Sequence, residues 1–117
     1  MAFYEKPKIS MVKKIKLMTE YYYYPLWDMD DVDNIDPCKL PLQEETINSL
    51  LEWAETYNKI LNINNPSASN FANPIEEEKF ERKGLELWKK LQQELSANYQ
   101  VFYFSEKQGK LLSPFEY

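Results

Sequence analysis

The residues best suited to chemistry lie in one acidic stretch. Trp27-Asp28-Met29-Asp30-Asp31-Val32-Asp33-Asn34-Ile35-Asp36-Pro37 holds five aspartates in nine residues. Carboxylates at this density have three uses. One is a calcium loop. Read from Asp28, positions 1 and 3 are acidic, but Val32 stands at position 5. Asp33 replaces the glycine of the sharp turn, and no glutamate closes the loop at position 12. The second use is a carboxylate pair acting across a cleft. Lys39 is the one basic residue between positions 20 and 58, so little is at hand to position a substrate. The third is an acidic surface for a cationic protein. Tyr21–Tyr24 and Trp27 stand beside the aspartates, and such aromatic side chains are good interface anchors. The charges speed encounter while the rings supply affinity. On this reading Tyr22, Tyr24, Trp27, Asp28, Asp30, Asp31, Asp33 and Asp36 form the partner-binding set. The plain alternative leaves the aspartates as a solvated loop and packs the tyrosines into a core.

Other chemistry is sparse. There is no histidine, which removes the commonest general base and metal ligand. The two glycines, Gly84 and Gly109, are too far apart for a phosphate-binding loop. Cys38 is a lone thiol that follows the aspartates, whose charge raises rather than lowers a thiol pKa. No catalytic residue, metal or cofactor is expected.

Charge is unevenly spread over the net −5. Residues 1–19 carry a net +4, residues 20–62 a net −8, residues 63–98 a net −1, and the rest none. Nucleic-acid binding needs a clustered cationic face, which five lysines before position 20 supply only weakly. The acidic middle fits a basic partner better. The first 20 residues lack a continuous apolar segment, and no run approaches the ~18 apolar residues of a membrane span. A cytoplasmic protein is therefore expected, with neither membrane nor nucleic acid as partner and a monomer as the favoured state.

These side chains need a scaffold. With 117 residues and 44% hydrophobic content, one domain with one core is expected. Residues 1–11 read as a loose arm and residues 12–117 as the domain. Lys13–Tyr24 alternates as a strand that ends at Pro25, with Ile15, Leu17 and Thr19 on the core side. Continuing that alternation sends Tyr21 and Tyr23 inward and leaves Tyr22 and Tyr24 exposed. Trp27–Pro41 reads as a long loop. Gln43–Leu61 has helical spacing through Ile47, Leu50, Leu51 and Ala54, with Glu55 and Lys59 placed to pair. In the connection that follows, Phe71 is the one aromatic side chain and should tuck into the core. Asn73, Pro74 and Glu76 mark the start of a second helix running to Ser96. Gly84 interrupts its apolar stripe, which points to close packing against a neighbouring backbone. Tyr99–Ser105 and Lys110–Phe115 read as strands joined by a turn at Gly109. The order strand-helix-helix-strand-strand predicts a two-layer α+β fold. In it a small antiparallel sheet, with the first strand beside Tyr99–Ser105, packs on an antiparallel helix pair.

Several stretches also carry a resemblance. They are Ile15–Asp28 with its Tyr21-Tyr22-Tyr23-Tyr24-Pro25 run, the Asp-rich segment, Leu40-Pro41-Leu42, Leu51–Tyr57 and Gly84–Leu95. Together, over Lys14–Ser105, they resemble small bacterial proteins that include immunity proteins of polymorphic-toxin and contact-dependent inhibition systems. The resemblance implies a stoichiometric inhibitor that binds a cognate toxin domain, often a basic nuclease. The competing reading is a non-catalytic structural or adaptor module, possibly pairing with itself through a sheet edge or aromatic patch.

Overall fold

The structure, a computed structural model, describes residues 12–62, 64–65, 69–95 and 98–114. The arm expected over residues 1–11 lies outside them. Alternation begins at Lys13–Leu17 (β1), whose Ile15 and Leu17 are fully buried while Lys13 and Lys14 face solvent. Leu26–Asp28 (β2) pairs antiparallel with β1, and Asp33–Ile35 (β3) pairs antiparallel with β2. A short 3-10 turn at Pro37–Lys39 leads to Glu44–Asn58 (α1) and then Pro74–Leu95 (α2). Tyr99–Ser105 (β4) and Lys110–Leu112 (β5) close the chain's described part. The sheet order is β3-β2-β1-β4-β5.

The first strand does lie beside β4, at the centre of the sheet, but the pairing is parallel. Ile15 sits opposite Val101 and Leu17 opposite Tyr103. The sheet is therefore mixed, not antiparallel. The reason lies between Asp36 and Gln43. That segment carries the chain back along the sheet, so α1 starts at the β1-entry end and finishes beside Tyr21, where Tyr57 stacks on the tyrosine ring. Helix α2 then runs the opposite way, with Phe80 near Trp53 and Glu94 at the start of α1. Strand β4 enters where β1 does.

Two other expectations change. The first strand stops at Leu17 rather than Tyr24, and the Trp27–Pro41 segment is not a loop but a β2–β3 hairpin and a 3-10 turn. The helix starts are anchored differently. Asn73 caps α2 as expected, accepting the Glu76 N–H at 2.9 Å. Helix α1 has no side-chain cap of its own. Glu94 serves instead, accepting the Gln43 N–H at 2.9 Å and the Thr46 hydroxyl at 2.5 Å. A carboxylate at a helix N-terminus is favoured by the exposed N–H groups. Phe71 does tuck in, with its ring 5.1 Å from Phe80.

The core holds Ile15, Leu17, Leu26, Leu50, Trp53, Phe80, Leu87, Trp88, Leu91, Leu95, Val101 and Tyr103. Both indole N–H groups inside it are satisfied, Trp53 by the Phe80 carbonyl at 3.0 Å and Trp88 by the Val101 carbonyl at 2.7 Å. Gly84 meets side chains rather than backbone. A Cβ there would overlap the Tyr103 hydroxyl and lie 2.8 Å from Cζ2 of Trp53. Tyr103 crosses α2 at that gap and donates to the buried Glu81 at 2.9 Å. Ser105 donates to both Glu81 oxygens at 3.0 and 2.9 Å, and the Gln108 amide reaches it at 3.3 Å. A buried carboxylate without a cation survives only with such donors.

Gly84→Ala is therefore expected to destabilise by about 1–3 kcal/mol through overpacking, despite a helix-propensity gain of about 1 kcal/mol. Urea denaturation measures it. The cost should shrink in a Tyr103→Phe background, where the hydroxyl is gone. A neutral or stabilising Gly84→Ala would contradict this packing.

Candidate functional site

The aromatic run and the acidic run occupy opposite ends of β2. At one end, the chain turns between β1 and β2 at Glu20–Tyr23, closed by the Tyr23 N–H on the Glu20 carbonyl at 3.1 Å. Tyr22 takes a left-handed φ of +66°, which a tyrosine rarely adopts. Two asparagines hold the turn, one at Tyr22 and one at Tyr24. The Tyr22 N–H donates to Oδ1 of Asn58 at the end of α1, at 2.8 Å. Asn34 of β3 accepts the Tyr24 N–H at 2.9 Å and donates to the Tyr24 carbonyl at 2.7 Å.

This clamp leaves three rings outside. Tyr22, Tyr23 and Tyr24 are 69%, 54% and 42% exposed. Tyr21 alone turns in and stacks on Tyr57 with ring centres 4.5 Å apart. The alternation expected from a strand thus holds for Tyr21, Tyr22 and Tyr24 but not for Tyr23, which leans on Trp27 at 5.3 Å. Trp27 is half-buried and donates its indole N–H to the Met18 carbonyl at 2.9 Å.

Between the turn and α1 lies an open groove of about 500 Å³. Tyr22–Tyr24 form one wall, and Leu51 and Ala54 of α1 form its apolar side. Asn34, Asn58 and Glu55 complete it, with Glu55 the one charged side chain in the lining. The expected Glu55–Lys59 pair does not form among the ion pairs of the described residues. The Asn58 amide donates to the Glu55 carboxylate instead, at 3.3 Å.

At the other end of β2 is the hairpin tip. Asp28 is withdrawn from the surface, at 8% exposure. Its Oδ1 accepts the N–H groups of Asp30 and Asp31 at 2.8 and 3.0 Å, and its Oδ2 meets Lys13 Nζ at 3.1 Å. It builds the turn rather than presenting charge. Asp30, Asp31 and Asp33 are exposed around Val32, which is 78% exposed at a φ of +58°. Asp36 lies back at the tyrosine end, where its side chain caps the 3-10 turn by accepting the Cys38 N–H at 2.9 Å. Among the described residues no three acidic or thiol groups converge to hold a metal ion.

Asn34 and Asn58 carry no expectation from the sequence, and Leu51 and Glu55 are legible there only as helix packing and a helix ion pair, not as groove residues. Asn34, an amide amid aspartates, was the one local signal. Asn58 meets Tyr22 across 36 residues and leaves no local trace.

The chain is thus a small α+β protein with an exposed tyrosine turn beside a groove at one end of β2 and an exposed acidic hairpin tip at the other. A protein-family model described as Serratia CdiI immunity protein-like matches residues 13–106, from the first residue of β1 to just past β4. The chain belongs to this family, an immunity family of contact-dependent inhibition systems whose members are in general not enzymes. No curated protein matches the chain. Among the described residues no helix is long and apolar enough to cross a membrane.

Two carboxyls have opposite pH signatures. The Asp31 N–H above all, with Lys13 and the Asp30 N–H, holds Asp28 below the usual carboxylate range. Its stabilisation is complete above that range and is lost as pH falls through the lowered value. Burial first, then the Glu20 charge, pushes Glu106 up. Its contribution is complete below the ordinary glutamate pKa and is lost as pH rises through the raised one. In urea titrations, Asp28→Asn should flatten the loss of stability below about pH 4. Glu106→Gln should raise the neutral-pH midpoint and leave the acid midpoint unchanged. Unaltered pH profiles in both variants would contradict these assignments.

Proposed function

We propose that this chain neutralises a contact-dependent inhibition toxin by docking on its toxic domain, a basic nuclease domain, through the tyrosine turn and the acidic hairpin tip. The observation that carries this is the tyrosine clamp. Asn58 and Asn34 hold the backbone of Tyr22 and Tyr24 with both rings outward, Tyr22 at a left-handed angle that tyrosine disfavours. Three adjacent exposed rings are poor solvent-facing surface but good anchors.

The tip supports the same reading. Asp30, Asp31 and Asp33 belong to no ion pair among the described residues, so their charge is available to a cationic surface. A nuclease domain must itself bind phosphates, and a row of carboxylates meets the same cationic groups. The two patches are roughly 20 Å apart along the strand, within reach of one interface of about 800 Å² per partner. Tyr22, Tyr24, Asp30, Asp31 and Asp33 would touch the partner, and Asp36 would lie beside the tyrosines. Trp27 supports Tyr23 from beneath, and Asp28 fixes the tip.

Co-expression with the product of the adjacent gene tests the pairing by copurification and by cell survival. In the purified pair, reversing Asp30, Asp31 and Asp33 to lysine should slow association about tenfold or more at low salt and much less at high salt. Unchanged association kinetics would remove the electrostatic part of the proposal.

A further inference from the structure

We propose that the groove between the tyrosine turn and α1 receives an arginine side chain of the bound toxin; this rests on the reading that the chain docks on a toxin through that turn. The groove has the parts a guanidinium needs. Its one charged lining residue is a carboxylate, Glu55, and no lysine or arginine lines it. Glu55 makes no ion pair among the described residues. The Asn58 amide, at 3.3 Å, holds that carboxylate at the rim without cancelling its charge.

The remaining walls fit the rest of the side chain. Leu51, 37% exposed, and Ala54 offer an apolar track for the three-carbon stem. The exposed rings of Tyr22 and Tyr24 offer faces on which a planar cation stacks. Arginine combines a flat, weakly hydrated, permanently charged head with such a stem, and a lysine ammonium matches the carboxylate but not the stacking. The walls are set in advance, because Asn58 and Asn34 fix the backbone of Tyr22 and Tyr24. Less freedom is then lost when the side chain enters. A phosphate or carboxylate ligand would meet Glu55 with no compensating cation.

The test has two arms. In the first, N-acetyl-arginine amide and N-acetyl-lysine amide are titrated into the free protein, followed by nuclear magnetic resonance. The arginine derivative should give saturable shifts at the Tyr22 and Tyr24 rings and the Asn58 side-chain amide. The lysine derivative should bind several-fold more weakly, and Glu55→Gln should abolish the preference. Glu55 is exposed, so unchanged resonances elsewhere will verify that the variant folds. Equal responses to the two derivatives, or an arginine preference that survives Glu55→Gln, would overturn the proposal. In the second arm, wild type and Glu55→Gln are compared for affinity to the copurified toxin domain, with an approximately tenfold loss expected in the variant. Equal affinity would overturn the arginine receptor and leave the docking reading standing. Failure of the wild type to capture the toxin at all would overturn the docking reading itself.

Discussion

The fold turns on one crossing, where Tyr103 passes α2 at the residue that has no side chain. Gly84 opens that gap, and the tyrosine hydroxyl goes through it to a carboxylate on the preceding turn of the helix. With Tyr103 seated, β4 lies tight against α2, and its parallel partner β1 places Leu17 beside it. A chain of rings follows outward from this point. Tyr103 lies 6.3 Å from Trp53, Trp53 stacks on Phe80 at 4.7 Å, and Phe80 lies 5.9 Å from Tyr57. Tyr57 in turn stacks on Tyr21, the inward member of the surface turn. The exposed tyrosines are thus mounted on the core through Tyr21, not hung on a free loop. A turn whose backbone is already held in this way loses less freedom on contact with a partner.

What could be read from the sequence was what local chemistry decides. Asn73-Pro74 opens a helix because an asparagine cap and a proline without an N–H suit a helix start. Gly109 closes the last hairpin because its φ of +66° suits glycine. The β1–β4 neighbourhood followed from two apolar alternating runs. Errors arose where distant groups decide. Four consecutive tyrosines favour a strand, but Asn58 and Asn34 bend them into a turn. Parallel pairing depended on where the 3-10 segment delivers the chain, which no local pattern encodes. Glu81 was legible and overlooked. It stands three residues before Gly84 and seven before Trp88, on the buried stripe of α2, so its spacing foretold a buried carboxylate in need of donors.

The acidic run shows how one sequence feature divides in three dimensions. Five aspartates that look alike do different work. Asp28 shapes a turn, and Asp36 caps another. Asp30, Asp31 and Asp33 remain for solvent or a partner. The neighbouring lysines matter too, because Lys13 takes up part of the field at the tip, its own ammonium stabilised by Asp28 and, more weakly, by Asp31 and Asp30. The tyrosine end carries a separate acidic set, Glu20 in the β1–β2 turn, Glu55 on α1 and Glu106 just after β4, which the linear sequence scatters widely. Membership of the immunity family implies a toxin to be bound, and under the proposed docking the rings and a carboxylate at one end of β2 and the open charge at the other would meet it.

Hydrogen–deuterium exchange of the chain, alone and with the copurified toxin domain, tests the docking surface most directly. The account predicts new protection at the Tyr22–Tyr24 turn and the Asp30–Asp33 tip, with little change on the solvent-facing side of α2. Protection confined to α2 or β5, with the turn and the tip exchanging as in the free protein, would contradict it.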